Sequence, residues 1–392
     1  MSHKIRPFGL IPFFMLAHCG HHLLTALLVP VLPFIRGEFA LDYTQAGWLV
    51  SALIVPYGIS QLLGGWLADR IGRRVVITIS ISGGALFGLL VGLSPTYITM
   101  VIFLVLLGVV TGGYHPTSTP LLSASVEPKN WGRVLGLHQI GGNASFFLAP
   151  LIVAGIAATL GWRGLFIVLT IPTIVFGIVF YILLGRWRYV KTEIPNHTEI
   201  LHAPYHLQRL VLFLILSIAG DILILSTISF IPLFIVDHFD VAEGVAAALL
   251  AVVYSAGLWV GPLGGYLSDR LGRVPVLIVA SFFAGPIIYL LNFVPFGWSS
   301  AILIAIGIFA CIRMPVSEAY IMEHTSEHNR STILGIYYFG SRGGPGIVIP
   351  AIGYFIDHFG FYVSFTIVGA TLVAMTLGCS IFLWGAGSAR GN

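Results

Sequence analysis

Charged residues are scarce in this chain of 392 residues: Asp, Glu, Lys and Arg make up 9% of it, whereas 57% of its residues are hydrophobic. No charged residue stands between Arg74 and Glu127, or between Arg273 and Arg313. A chain with a mean hydropathy of +0.96 would not stay in water as a set of globular domains. Uncharged stretches this long exceed the ~20 residues that cross a hydrocarbon core, so they predict repeated membrane-spanning helices.

Cysteine is also scarce, and a nucleotide-binding loop is missing. The three cysteines, Cys19, Cys311 and Cys379, all fall within predicted helices, so no extracellular disulfide framework is expected. The sequence contains no Walker-type phosphate loop, which excludes a pump driven by ATP. The net charge of +4 does not indicate nucleic-acid binding, because the lysines and arginines sort to one face of the membrane. We therefore expect no cofactor and no nucleic-acid partner.

One sequence motif occurs twice, at equivalent positions in the two halves of the chain. GGWLADRIGRR, from Gly64 to Arg74, returns 200 positions later as GGYLSDRLGR, from Gly264 to Arg273. A half-length repeat whose shared phrase joins two membrane-length helices is typical of transporters built from two six-helix halves. Within this motif, we expect Gly72 to take the positive φ of a tight turn, and we expect Gly65 to allow a neighbouring helix to approach closely.

The repeated phrase resembles the loop motif of the major facilitator superfamily, G-x-x-x-D-R-x-G-R-R. The first copy matches at every position and the second departs only at Val274, so the resemblance covers both halves. It implies an all-α membrane protein with twelve transmembrane helices in two pseudo-symmetric six-helix bundles. It also implies a conformational latch in which Asp69 meets the N-terminus of the eleventh helix, where we expect Ser331 to be the N-cap. The latch residues are Gly65, Asp69, Arg70, Gly72, Arg73, Asp269 and Arg270.

The apolar segments fall into two groups joined by a polar linker. The N-terminal bundle is predicted over residues 1–184, the cytoplasmic linker over 185–206 and the C-terminal bundle over 207–392. Most of the 19 lysines and arginines lie on one face, so the positive-inside rule predicts an inner-membrane protein with both termini in the cytoplasm. Helices are predicted at about 8–35, 44–67, 75–93, 97–123, 133–158, 163–184, 208–236, 242–266, 275–294, 298–322, 332–355 and 360–385.

Polar side chains inside the predicted helices are few, and each is costly in hydrocarbon, so each is a candidate functional residue. Asp221 lies deep in helix 7, where a carboxyl group can serve proton coupling; the alternative is a fixed ion pair with Arg313 or Arg342. Proton coupling is expected at Asp221, Glu318 and His21. Candidate substrate-binding residues are His22, Tyr114, His115, His138, Asn143, Arg313 and Arg342.

The string His18-x-x-His21-His22 resembles a histidine box of membrane di-iron oxygenases. Those enzymes need several boxes at helix ends, whereas this chain has one within a span, so the sequence favours a substrate or proton site over an enzyme. We expect no resident metal. A uniporter or symporter for a metabolite, or for a metal ion held by these histidines, remains an alternative.

The run Gly112-Gly113-Tyr114-His115-Pro116 in helix 4 resembles the fosmidomycin-resistance branch of the facilitators. That branch exports drugs, so the resemblance implies drug resistance through proton-coupled efflux by antiport. Thr117 departs from this pattern, because an acidic residue usually follows the His-Pro pair.

The charges inside the membrane bear on the substrate. Arg313 and Glu318 are five residues apart on one helix, about 140° round its axis, so they point to different faces. When Asp221 is protonated, at least one arginine can then face the cavity without a fixed partner, and a guanidinium suits carboxylate, phosphate and phosphonate groups. The sequence thus predicts a monomeric secondary transporter in the lipid bilayer, which moves a small anionic or zwitterionic organic molecule by alternating access.

Overall fold

The computed structural model describes residues 7–123, 126, 131–186, 204–325 and 327–384. These residues are helical apart from short turns, and none of them lies in a strand. Ten of the described helical segments are long and apolar enough to cross a membrane, if the pair bent by 45° at Trp259 is taken as one. Two of the ten exceed 50 residues and contain a non-helical glycine, so the described residues supply twelve helices that can cross the membrane. The predicted all-α fold is confirmed.

We number the crossings α1 to α12 in chain order. In the first half, α1 comprises Ile11–Ala26 and Leu28–Phe39, α2 is Tyr43–Ile71, α3 is Arg73–Gly92, α4 comprises Tyr97–Thr111 and Tyr114–Ser123, and Trp131–Arg186 supplies α5 and α6, which meet at Gly161. In the second half, α7 is Pro204–Phe239, α8 comprises Glu243–Leu258 and Val260–Leu271, α9 is Arg273–Leu290, α10 is Ser299–His324, and Glu327–Tyr338, Phe339–Gly343 and Gly344–Trp384 supply α11 and α12, which meet at Gly360.

Two sequence predictions concern segments at the edge of what the structure describes. The linker predicted over 185–206 lies mostly outside the described residues, which end at Arg186 and resume at Pro204. The predicted N-cap at Ser331 is wrong, because α11 begins at Glu327 and the backbone of Ser331 lies inside the helix. The prediction followed the start of the apolar run, whereas the helix extends a further turn through polar residues.

The backbone repeats between the halves as the sequence does. Gly72 and Gly272, at the two motif turns, have φ values of +96° and +90°. A side chain is strained in that region, so the prediction that Gly72 takes a positive φ is confirmed. Ala40 and Asp240, which end α1 and α7, are also matched, with φ values of 50° and 52°.

A glycine of each motif lets two helices approach closely, but it is not the predicted one. A Cβ at Gly64 would lie 2.8 Å from the Cα of Gly113 in α4, and a Cβ at Gly264 would lie 2.6 Å from Cγ1 of Ile312 in α10. A Cβ at Gly65 would come no closer than 3.8 Å, to a side-chain atom of α4. The close approach is therefore one residue, about 100° of helix rotation, away from the predicted position.

The two halves meet at the end of the bundle that carries Arg36, which we call the Arg36 end. Arg36 of α1 forms an ion pair with Asp237 of α7, with Nη1 and Oδ2 2.6 Å apart. Asp357 of α11 accepts hydrogen bonds from the backbone N–H groups of Tyr43 and Thr44, at 2.8 and 2.9 Å. These groups form the N-terminus of α2, where the helix dipole favours a negative charge.

Glycines show where the halves touch and where they separate. A Cβ at Gly58 of α2 would lie 2.8 Å from the Cα of Gly343 of α11. Toward the opposite end, which carries Asp69 and is called the Asp69 end, a Cβ at Gly261 of α8 or Gly335 of α11 would meet no atom within 4 Å. The described halves are thus closed at the Arg36 end and separated at the Asp69 end.

Replacing Gly58 by Val should open the Arg36 end. The Val side chain would occupy the space of the backbone at Gly343, so the closed arrangement is penalised and the separated one is not. Spin labels on cysteines that replace Leu93 and Trp298, exposed residues of different halves, should report a longer distance by pulsed electron paramagnetic resonance.

The matched control is Gly261→Val, which adds the same side chain to the related helix α8 at a position with free space. Its label distance should equal that of the parent protein. Equal distances in both variants would contradict the assignment of Gly58 to the closed contact.

Candidate functional site

Each half contains a polar cluster built from three helices. The repeat matches each helix of one cluster with a helix of the other cluster. With an offset of 199 positions, Pro33 of α1 matches Pro232 of α7 and Pro116 of α4 matches Pro315 of α10. The same offset pairs the polar residues of the two halves. The matched pairs are His22 with Asp221, Tyr114 with Arg313, His138 with Tyr337, and Asn143 with Arg342.

Arg313 is the centre of the cluster in the second half. Its side chain is fully buried, and its Nε donates to Oδ1 of Asp221 at 2.9 Å. Its Nη1 donates to Oγ of Ser281, and its Nη2 donates to the backbone oxygen of Ser217 at 2.7 Å. All three guanidinium nitrogens therefore have acceptors, as a buried charge requires. Asp221 and Arg313 are thus paired in this state, while the choice between proton coupling and a fixed ion pair at Asp221 stays a prediction.

Asp221 also reaches a small cavity inside the second half. Its Oδ2 accepts from the hydroxyl of Tyr337 at 3.4 Å, and 9% of the residue is exposed. This cavity lies between α7, α10 and α11, and both Asp221 of α7 and Arg342 of α11 line it. Its lining residues are Asp221, Ile224, Leu225, Ala310, Met314 and Arg342.

Arg342 differs from Arg313 in being exposed. Its Nη2 donates to Sδ of Met314 at 2.7 Å, and among the described residues no carboxylate lies within ion-pair distance of it. Arg342 belongs to the π-helical turn Phe339–Gly343, an irregularity that often marks functional sites. The arginine thus presents its charge to the space between the halves.

Glu318 faces a different neighbour from Arg313, as their five-residue spacing predicts. Its Oε1 accepts from the hydroxyl of Tyr338 in α11 at 2.8 Å. Arg342 lies four residues further along α11 than Tyr338. Among the described residues, Glu318 is the carboxylate of this region that has no arginine within ion-pair distance.

The cluster of the first half consists of imidazole and phenol rings. His18 donates from Nδ1 to the backbone oxygen of His138 at 2.8 Å, and the two rings stack with centroids 4.2 Å apart. The hydroxyl of Tyr114 lies 3.1 Å from Nε2 of His138, and its ring stacks on His21 at 4.3 Å. His21, Tyr114 and His138 thus lie together inside the first half.

His22 and His115 lie on the side of this cluster that faces the second half. Their Nε2 atoms are 3.1 Å apart. The ring of His22 is 5.1 Å from that of Phe146, which is 5.5 Å from Tyr254 of α8. This series of rings connects the histidines to the other half.

Asn143 is placed at the contact between the halves rather than beside the histidines. Its Nδ2 donates to the backbone oxygen of Gly257 in α8 at 2.6 Å. Because α5 and α8 belong to different halves, this hydrogen bond helps to hold the closed arrangement. In this state the side chain of Asn143 is therefore engaged in a hydrogen bond between the two halves.

The motif residues interact within their own turns in this state. Asp69 is 3.8 Å from Arg73, and 73% of its side chain is exposed. Asp269 is 2.5 Å from Arg273, which also pairs with Glu323 at 2.9 Å. Arg70 and Arg270 lie over the rings of Trp66 and Tyr266, at 4.0 and 4.7 Å. The latch contact of Asp69 remains a prediction.

Sequence reasoning missed four residues that contact the predicted ones. Tyr337 was detectable, because the offset of 199 aligns it with His138. Tyr338, the donor to Glu318, is its direct neighbour. Ser281 and Met314 gave no signal, since a small hydroxyl or a thioether within an apolar span is ordinary.

Comparisons with known proteins agree with the fold. The family model of the Major Facilitator Superfamily matches residues 14–261 and 210–390. The hexuronate transporter of Bacillus subtilis is 23% identical, over 94% of this chain and 92% of its own length. Multidrug resistance protein MdtG of Salmonella arizonae is 28% identical, over 71% of each chain. The crystal structure of a D-xylose–proton symporter superposes with a TM-score of 0.75 at 16% identity, over 96% of this chain and 98% of that one.

Replacing Asp221 by Asn should destabilise the fold strongly. The change leaves Arg313 buried without a counter-charge, which costs about 3–5 kcal/mol. The control Asp237→Asn breaks the partly exposed pair with Arg36 and should cost about 0–1 kcal/mol. Thermal unfolding of the purified variants measures both.

A double variant, Asp221→Leu with Arg313→Met, removes both charges and should recover much of the lost stability. An Asp221→Asn protein as stable as the parent would show that the buried pair is not required for the fold.

Proposed function

The chain belongs to the major facilitator superfamily, and we propose that it carries a small organic anion or zwitterion across the membrane together with protons. Membership makes it an integral multi-pass transporter of a small molecule and not an enzyme. We propose further that it works as a monomer in the inner membrane, with both termini in the cytoplasm. The observation that carries the substrate class is the exposed, unpaired guanidinium of Arg342.

Arg342 supports an anionic substrate because its charge is unbalanced where substrate would lie. Asp221 is committed to Arg313 at 2.9 Å, and the described contact of Arg342 is with the thioether of Met314. A guanidinium away from bulk water attracts a carboxylate, phosphate or phosphonate and can bind it through two parallel hydrogen bonds. The similarity to a hexuronate transporter, named for an acidic sugar, supports the same class.

Glu318 is the group we propose for proton coupling. An ionised Glu318 would balance the charge of Arg342, whereas a protonated Glu318 would leave that charge for the substrate. Proton binding and anion binding then favour each other, which is the linkage of a symporter. Asp221 is less suited, because it is already paired with the buried Arg313 at 2.9 Å.

A second candidate function is drug export by proton antiport. The sequence resemblance of helix 4 implies it, and the similarity to MdtG favours it. In that case a cationic drug and a proton would compete for a carboxylate, so protonation would weaken substrate binding rather than strengthen it. The sign of this dependence separates the two candidates.

Alternating access fits the arrangement of the two ends. In this state Asp357 holds the N-terminus of α2 and the Arg36 end is closed. We propose that Asp69 makes the equivalent contact with the N-terminal turn of α11 when the Asp69 end closes, assisted by the other motif residues. Each carboxylate would then stabilise one of two states through a helix dipole.

Replacing Arg342 by Gln should weaken anion binding by at least about tenfold, since a charge-assisted bidentate contact is lost. The probe is the acid that gives the largest thermal stabilisation in a panel of small carboxylates and phosphonates. Its titration by calorimetry into the parent and variant proteins gives the change in Kd.

The control Arg163→Gln removes an arginine that pairs with Glu38 at the surface, and it should leave Kd unchanged. Unaltered affinity in Arg342→Gln, or stabilisation by cationic drugs alone, would contradict the anionic substrate.

Replacing Glu318 by Gln should abolish transport driven by a pH step while exchange of labelled substrate at equal pH continues. The amide cannot release a proton, but it leaves the arginine free for the substrate. Uptake into liposomes that contain only this protein measures both activities.

Glu323→Gln is the matched control, because Glu323 lies on the same helix but pairs with Arg273 near the surface. It should retain both activities. Full uphill transport by Glu318→Gln would remove Glu318 as the coupling residue and return attention to His21 and Asp221.

A further inference from the structure

We infer that His18, His22 and His115 form a binding site for a divalent transition-metal ion such as Zn²⁺, Co²⁺ or Ni²⁺. One imidazole nitrogen of each residue lies within 4.8 Å of the others. His18 and His22 come from α1 and His115 comes from α4. The proton and substrate roles proposed above use none of these contacts, so the inference stands independently of them.

The geometry of His18 fixes which nitrogen is available. Its Nδ1 donates to the backbone oxygen of His138 at 2.8 Å, so Nε2 carries the lone pair. That Nε2 is buried and has no hydrogen-bond partner, in a residue that is 1% exposed. An unsatisfied buried acceptor is costly, and a metal ion would satisfy it. A histidine held by a carbonyl through its other nitrogen is the usual arrangement of a metal ligand.

The pair His22 and His115 is already spaced as two ligands of one ion. Their Nε2 atoms are 3.1 Å apart. Two ligands of a tetrahedral ion with metal–nitrogen distances of about 2.0–2.1 Å lie about 3.4 Å apart. The nitrogens of the three residues lie within 4.8 Å of one another, so reaching that spacing requires movements of at most about 1.4 Å. His18 is held by its hydrogen bond to His138, so the movement falls to His22 and the half-buried His115 together.

The ligand set indicates the class of ion. Neutral imidazoles bind zinc, copper, nickel and cobalt, whereas calcium and magnesium prefer carboxylate and carbonyl oxygens. Three protein ligands leave at least one coordination position for an outside ligand. His22 contacts Phe146, which contacts Tyr254 of the other half, so this side of the site is directed toward the second half.

The location of the ligands has a consequence for transport. All three belong to the first half, so movement of one half against the other does not separate them. The site thus persists while access to it alternates between the two ends. A site formed across the halves, by contrast, would be broken in one of the two states.

The test uses full-length, tag-free protein in detergent, without substrate. Co²⁺ is the probe, because four-coordinate Co²⁺ has visible absorption bands, and Zn²⁺ should displace it from the same site. One Co²⁺ per chain is expected in the parent protein. His22→Ala and His115→Asn should each weaken binding by at least about tenfold, as loss of one ligand implies.

The matched control is His358→Ala, which removes an exposed histidine whose Nδ1 bonds to the carbonyl of Tyr354 in its own helix. It should bind Co²⁺ as the parent does. Thermal unfolding identifies any variant that fails to fold, and His115→Asn, at the half-buried position, keeps a polar side chain for this reason.

A parent protein without the four-coordinate Co²⁺ spectrum would overturn the inference. So would folded His22→Ala and His115→Asn variants that bind Co²⁺ with parental affinity. Because no substrate is present, a negative result here leaves the proposed anion transport untouched, and failure of anion transport leaves the metal site untouched.

Discussion

The buried ion pair between Arg313 and Asp221 determines which charges inside the membrane are free to act. Arg313 has acceptors for all three guanidinium nitrogens and no exposed surface, so it belongs to the packing of the second half. With Asp221 committed to it, Arg342 remains as an exposed cation and Glu318 as a carboxylate bonded to a phenol. The proposed substrate class and the proposed proton linkage both follow from that division.

The two halves share a backbone plan but use it for different chemistry. Where the second half places Arg313 and Asp221 as an ion pair, the first places the rings of Tyr114 and His22, and Tyr114 stacks on His21. Neutral rings need no counter-charge in hydrocarbon, and their nitrogens are left to bind protons or metal ions. The closed end carries a carboxylate of α11 at the N-terminus of α2. A motif carboxylate of α2, Asp69, lies at the other end, where the reverse contact is predicted.

What could be predicted from the sequence is what local pattern determines. Long apolar runs fixed the crossings, and the repeated motif fixed the turn at Gly72. The rotation of each helix about its axis could not be predicted, since it depends on packing against helices distant in sequence. For that reason the sequence predicted the close approach at Gly65 instead of Gly64, and it gave no indication that the side chain of Arg313, a candidate substrate-binding residue, is buried. The start of α11 was missed because polar residues extend the helix beyond the apolar run.

The central claim is that an organic anion and a proton move together through the space beside Arg342. The most direct measurement is a proton flux: liposomes that contain only this protein and an internal pH-sensitive dye receive organic acids, neutral sugars or cationic drugs outside at equal pH. The account predicts acidification of the interior that appears with an organic acid, saturates with its concentration and is absent with neutral sugars. Alkalinisation on addition of cationic drugs, with no response to any acid, would contradict it.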